Sequence, residues 1–200
     1  MKSICIYCGS SAGNNEQYQS MAREMGRTLA AQNLTLVYGG GSVGLMGITA
    51  DACLEAGGKV IGIIPQKLMD KEVGHKSLTE MHVVADMHTR KAKMVELSDG
   101  FIAMPGAYGT LDEVFEALTW AQLGYHRSPV ALLNVAGFYD GLLQFLDKAT
   151  ADKFLRPMHR EMLLVDTEIA PLLDRMRAHE PINADKWLEQ VASAHAKSLI

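Results

Sequence analysis

Apolar residues in this chain come in short, nearly unbroken runs: Lys2–Cys8, Leu34–Tyr38, Lys59–Ile64, Met81–Ala85, Gly100–Met104 and Pro129–Leu133, with a weaker one at Met162–Val165. Such runs alternate little between apolar and polar positions. They predict strands buried on both faces, as in a parallel sheet of about seven strands. Between them the pattern changes to helical spacing. In Asn15–Gln32 the apolar positions are Tyr18, Met21, Ala22, Met25 and Leu29, one stripe of an amphipathic helix. Helices are also predicted over Val43–Ala56, Asp86–Leu97, Thr110–Leu123 and Phe138–Ala149. Strand–helix alternation of this kind predicts an α/β protein with helices on both faces of the sheet. The stretch from Thr167 reads as a polar helix packed outside the same unit. No linker-like, low-complexity or repeated segment interrupts the chain, so residues 1–200 read as one domain.

Composition narrows the classes. The 200 residues are 48% hydrophobic and 21% charged, ordinary for a globular protein with a sizeable core. A net charge of -4 argues against a general nucleic-acid or membrane surface. No apolar run approaches a membrane span, and the N-terminus reads as a first strand without a signal-peptide core, so a cytoplasmic protein is expected. Cys5 and Cys8 form a C-x-x-C pair, but the pair lies along a strand and does not open a helix. With only Cys53 left and no paired histidines nearby, a zinc site lacks ligands. Reduced, buried thiols are expected, with no metal and no cofactor.

The candidate chemistry clusters where strands end. Gly100–Met104 runs into Pro105-Gly106-Ala107-Tyr108-Gly109-Thr110-Leu111-Asp112-Glu113, a glycine-rich turn opening a helix. Backbone N–H groups and the positive end of a helix dipole make such a turn an anion site, and phosphate is the usual anion. Glu113 in the first turn goes beyond what a phosphate cradle needs. It either stabilises the helix dipole or faces the anomeric carbon of a ribose, where a carboxylate stabilises an oxocarbenium-like transition state. Gly39-x-Gly41-x-x-Gly44 fits G-x-G-x-x-G, which serves a dinucleotide, a tight turn alone, or a mononucleotide phosphate or sugar. The next strand ends Ile63-Ile64-Pro65 with no acid to hold a ribose, which counts against a dinucleotide. The absence of a G-x-x-x-x-G-K motif followed by Ser or Thr counts against nucleoside-triphosphate hydrolysis. Asp86 is a good N-cap for a helix carrying Arg90, Lys91 and Lys93, either a solvated basic face or a phosphate clamp and catalytic cation. Glu113, Glu116 and Trp120 share one helix face. Most of the twelve methionines belong to the core; Met46, Met87 and Met94 are candidates to line an apolar base pocket. Ser10, at the end of the first strand, stands on the same carboxyl rim of the sheet.

Three stretches together resemble the Lonely Guy (LOG) family of cytokinin riboside 5′-monophosphate phosphoribohydrolases, often mislabelled lysine decarboxylases. They are Tyr38-Gly39-Gly40-Gly41-Ser42-Val43-Gly44-Leu45-Met46-Gly47, Asp86-Met87-His88-Thr89-Arg90-Lys91-Ala92, and Pro105 to Glu113. The similarity runs from about Ile4 to Ala149 and includes Thr119-Trp120-Ala121-Gln122-Leu123-Gly124. The resemblance implies a Rossmann-like, doubly wound parallel sheet in three α/β/α layers, and a homodimer. It also implies hydrolysis of AMP-like nucleotides to a free adenine-type base and ribose 5-phosphate. The catalytic pair it implies is Arg90 and Glu113. Implied substrate and phosphate contacts are Ser10, Gly40, Gly41, Met87, Lys91, Gly106, Ala107, Tyr108, Gly109, Thr110 and Thr119. Ala107 departs from the family, which has a second glycine there, and the segment Val73–Thr79 differs from the plant members.

Two other functions stand beside this one. A non-catalytic nucleotide- or cofactor-binding protein could use the same scaffold, but such a binder has no use for Glu113. A decarboxylase needs a lysine carrying pyridoxal phosphate, and nothing in the sequence singles one out.

Overall fold

The structure is a computed structural model and describes residues 1–71 and 74–182. The expectations for Val73 and for residues 183–200 lie outside the described residues. Seven strands form one sheet: β1 (Ser3–Tyr7), β2 (Thr35–Tyr38), β3 (Val60–Pro65), β4 (Glu80–Val84), β5 (Phe101–Ala103), β6 (Val130–Leu133) and β7 (Leu163–Asp166). Their order is β4-β3-β2-β1-β5-β6-β7, and every pairing is parallel. Helices α1 (Glu16–Ala31), α2 (Gly44–Glu55), α4 (Met87–Glu96), α5 (Tyr108–Gln122) and α6 (Asp140–Ala151) lie within a few residues of their predicted bounds. Two one-turn helices, α3 (Gln66–Met69) and α7 (Pro157–Arg160), were not predicted, being too short to show a period.

The unbroken apolar runs are explained by burial on both faces. Along β1, Ile4 and Ile6 pack with Met25, Leu29, Leu36 and Leu45 on the side of α1 and α2. Cys5 and Tyr7 pack with Met94, Val114, Ala117 and Leu146 on the side of α4, α5 and α6. Three layers follow from these two cores. The predicted polar C-terminal helix is α8 (Ile169–Arg177), and it differs from the expectation. Its Ile169, Leu172, Leu173 and Met176 are buried in the first core, so it is a structural layer and not a surface addition.

Helix starts follow local chemistry. Asn15 caps α1 by accepting from the Gln17 N–H at 3.0 Å, and Asp86 caps α4 by accepting from the Thr89 N–H at 2.8 Å. The α5 N-cap is Ala107, whose side chain makes no capping bond. Strand order reverses at β1, flanked by β2 on one side and β5 on the other. The crevice beyond the carboxyl ends of β1 and β5 is therefore the expected place for a ligand.

Candidate active site

A cleft of about 370 Å³ opens at that switch point. That volume suits a small ligand. Its walls come from the turn after β1 (Cys8 to Gly13), from Leu45 and Met46 on α2, from Arg90 on α4, and from Pro105, Gly106, Ala107, Gly109 and Thr110 with Glu113 in the second turn of α5. Tyr18 and Phe138 close one end, packed edge to face with ring centroids 5.6 Å apart. The sequence pattern assigned Tyr18 to the helix stripe of α1 and Phe138 to the start of the helix that became α6; their meeting is a product of the fold.

Arg90 and Glu113 form the charged centre. Both are 8% exposed, and Arg90 Nη1 donates to Glu113 Oε1 at 2.9 Å. Arg90 Nε donates to the Ile63 carbonyl at the end of β3, at 3.0 Å. Burial raises the Glu113 carboxyl above its ordinary value, against the opposing pull of Arg90. The arginine that sequence alone could assign to a solvated basic face is thus a buried, doubly held cation.

The first glycine of the G-x-G-x-x-G match is explained by this arginine. A methyl group built on Gly39 would lie 3.0 Å from Arg90 Cζ and closer still to Nη2, so the guanidinium lies directly against the Gly39 backbone. Gly40 takes φ 73°, a left-handed conformation that glycine adopts without penalty. Gly39, Gly40 and Gly41 are buried and do not line the cleft. Gly39 seats a side chain, and the missing acid after β3 agrees with that reading.

The start of α5 is the second element of the site. Because Ala107 carries no oxygen to cap the helix, no side chain competes for its first N–H groups. Gly106 has a structural reason to be glycine: a Cβ there would lie 2.8 Å from Thr110 Cβ and 2.9 Å from the Gly9 nitrogen. Gly109 has none, since a Cβ there would meet nothing within 4 Å. Ala107 has φ -113°, which any residue adopts, so alanine in place of the family glycine costs no left-handed strain.

The structure brings together Ser10, Arg90, Gly106, Ala107, Gly109, Thr110 and Glu113 around one cleft. It does not bring Met87, Lys91, Tyr108 or Thr119 there. Met87 is 43% and Tyr108 92% exposed. Lys91 Nζ pairs with Asp112 Oδ2 at 3.0 Å and Glu116 Oε1 at 3.1 Å. Burial depresses its ammonium, but the two carboxylates outweigh that and raise it. Thr119 donates its hydroxyl to the Phe115 carbonyl and lines a separate groove with Phe115, Leu146 and Leu163. Of the three methionines proposed for a base pocket, only Met46 lines the cleft; Met94 is in the core. The three cysteines are free and buried, and no cluster of potential metal ligands occurs among the described residues.

A protein-family profile described as "Possible lysine decarboxylase" matches residues 46–176. Over 182 residues the chain is 49% identical to cytokinin riboside 5′-monophosphate phosphoribohydrolase LOG5 of Arabidopsis thaliana, covering 91% of this chain and 80% of that protein. The chain belongs to the LOG family. LOG1 of the same plant is 48% identical over 180 residues, covering 90% of this chain and 84% of its own length. Solved structures similar to this LOG-family chain include the molybdenum cofactor carrier protein of Chlamydomonas reinhardtii, with TM-score 0.66 and 23% identity over 88% of this chain and 95% of that one. The molybdenum cofactor binding protein of Rippkaea orientalis gives TM-score 0.68 and 23% identity over 89% and 97%. At that identity they establish the shared Rossmann-like fold. No helix among the described residues is long and apolar enough to cross a membrane.

Proposed function

We propose that this protein hydrolyses the N-glycosidic bond of AMP or an N6-modified AMP, releasing an adenine-type base and ribose 5-phosphate. The buried Arg90–Glu113 pair, set in one cleft with the uncapped start of α5, carries this reading. The phosphate sits on the N–H groups of the Gly106–Thr110 turn, where the helix dipole and the absent side chains favour an anion. That anchor orients the ribose toward Glu113. As the glycosidic bond breaks, its electron pair leaves with the base nitrogen, which takes a proton from solvent, balanced by the one that Glu113 returns there at the end of the cycle. Positive charge develops on the sugar beside the Glu113 carboxylate. Water then adds to the anomeric carbon and gives its proton to Glu113. Arg90 holds the carboxylate in place from a backbone-anchored position. A protein that only bound nucleotides would bury Glu113 at a cost in desolvation with no return.

A homodimer is part of the proposal, buried partly through α5 with Trp120 and Leu123. Leu123, Tyr125 and Phe115 are exposed on or beside this helix, and Trp120 and Tyr125 share a shallow groove with Ala92 and Val95. Light scattering at micromolar protein should give the mass of a dimer; a monomer rules this out. The support for Met87, Lys91, Tyr108 and Thr119 as nucleotide contacts is the family resemblance. Free, buried thiols suit a reducing compartment, and we assign the protein to the cytoplasm as a single-domain enzyme. The deciding assay incubates the protein with AMP, isopentenyl-AMP and the matching nucleosides, then separates the free bases. The nucleotides should be hydrolysed and the nucleosides hardly at all, because phosphate binding energy is used to orient the sugar. Equal rates on adenosine and AMP refute the phosphate anchor.

A further inference from the structure

Gly39 is the seat of Arg90, and it opens a run of three glycines, Gly39 to Gly41, that has more backbone freedom than any other tripeptide and no side chains to pin it. A guanidinium that must be held to a fraction of an ångström needs a seat that is itself held. The structure supplies the restraint from outside the cleft. Gly41 pairs with Gly74 in an antiparallel bridge, and the His75 N–H donates to the Gly40 carbonyl at 2.9 Å. The segment just before β4 is thereby laid against the turn like an added strand.

The His75 ring ties that segment down. Its Nδ1 lies 3.1 Å from the Ser77 backbone nitrogen, and its Nε2 lies 2.9 Å from Asp51 Oδ1 on α2. A backbone N–H can only donate, so Nδ1 accepts and the ring hydrogen is on Nε2, donated to the carboxylate. The ring is nearly covered, at 9% side-chain exposure, while Asp51 remains largely in solvent. One residue therefore joins three parts: the glycine turn through its backbone, α2 through Asp51, and its own loop through Ser77.

We propose that His75 is a positioning residue for Arg90, acting through the Gly39–Gly41 turn that it clamps to α2. The inference rests on the reading of Arg90 as part of the catalytic pair. It assigns to the His75–Asp51 contact a role in turnover although neither residue lines the cleft. Loosening the clamp lets the turn shift, and Arg90 loses its backing without losing its Glu113 partner.

The test compares steady-state hydrolysis of AMP by the wild type, His75→Ala, His75→Gln and Asp51→Ala, each alone and in an Arg90→Lys background. Lysine has no guanidinium to rest on Gly39, so in that background the seat no longer matters. His75→Ala and Asp51→Ala should each lower kcat about tenfold while KM changes less than about threefold. A variant carrying both His75→Ala and Asp51→Ala should be no worse than His75→Ala alone, because the two residues act along one path. His75→Gln, whose amide can still donate to Asp51, should recover part of the loss. In the Arg90→Lys background, His75→Ala should leave the remaining rate unchanged. A general weakening of the fold would lower both backgrounds by the same factor, and that result overturns the proposal, as does a normal kcat in His75→Ala. Should His75→Ala fail to fold, Asp51→Ala and His75→Gln in the two backgrounds decide the matter alone. Normal turnover by Arg90→Lys and Arg90→Ala overturns the catalytic reading of Arg90 and this inference with it. An impaired Arg90→Lys combined with additive His75 effects overturns the inference and leaves the catalytic reading standing.

Discussion

Replacing Gly39 by alanine tests whether the glycine triplet serves Arg90 or the ligand. The new methyl would stand 3.0 Å from Arg90 Cζ, where ordinary contact begins at about 3.4 Å, and Nη2 lies nearer still. The other neighbour, Met46 Sδ, is at 3.4 Å, so it is the guanidinium that must yield, and its outer nitrogen has to retreat by more than about 1 Å. That movement is resisted by the bonds to Ile63 O and Glu113 Oε1. A displacement of about 1 Å in a positioned group is worth about 10²-fold in rate. Stability should suffer less, by about 1–3 kcal/mol. Complete loss of a buried pair costs about 3–5 kcal/mol, but here Arg90 can turn into the open cleft and Glu113, already raised by burial, can take up a proton. The assay is release of adenine from AMP, with far-UV circular dichroism and urea unfolding as controls on the fold. Gly39→Ala should fold, bind AMP with little change in KM, and lose at least about 10²-fold in kcat. A folded variant with normal kcat refutes the seat. A raised KM at unchanged kcat assigns the glycine to the ligand instead.

Glu113→Gln should fold and lower kcat by about 10²-fold or more, measured by base release; near-normal turnover would reduce Glu113 to a structural partner of Arg90. Because burial raises the folded-state value of Glu113 above its ordinary 4.5, the folded protein holds this proton more tightly than the unfolded chain does. Its contribution to stability therefore falls as pH rises from about 4.5 through the raised value, and Glu113→Gln should lose that slope in urea titrations. The same shift places the acid limb of the kcat/KM–pH profile, which reports the free enzyme, above the ordinary value of Glu113, since the working form is ionised. Gly109→Ala should leave stability unchanged or raise it by about 0.5–1 kcal/mol, as for Gly→Ala within a helix, yet weaken nucleotide binding by filling space at the phosphate turn; unaltered KM and kcat would move the phosphate elsewhere. Ala107→Gly should change kcat/KM by less than about tenfold, because φ at 107 is already negative; a gain of about a hundredfold would mark a damaged site. Tyr38 is buried, and its hydroxyl has no hydrogen-bond partner among the described residues, so Tyr38→Phe should be neutral or stabilising by about 1 kcal/mol in denaturant unfolding.

The hydrophobic pattern alone was enough to place all seven strands and the five longer helices, because the inner strands, covered on both faces, are apolar at nearly every position and a helix covered on one face must repeat near 3.6; the edge strands β4 and β7 are only partly covered, and β4 keeps Glu80 and His82 among its apolar residues. The glycine-rich turn before α5 was legible too, since its properties are local: a strand end rich in glycine and a helix start; the helix begins at Tyr108, two residues earlier than its spacing predicts, so Glu113 falls in the second turn and not the first. Local sequence could not say what the basic run was for. Arg90 and Lys91 are neighbours with similar charge, yet the first is locked to Ile63 and Glu113 inside the protein and the second to Asp112 and Glu116 on the outer side of α5. The hundred-degree step between adjacent helical positions decides which faces the cleft, and only the docking of α4 beside β3 and α5 sets where that step falls. The purpose of Gly39 was hidden for the same reason. Its requirement comes from a side chain 51 positions away in the chain, and the clamp on its turn from His75 and Asp51 on separate elements. A repeat can be read from spacing within one element; a close approach between elements exists only once the sheet has ordered them.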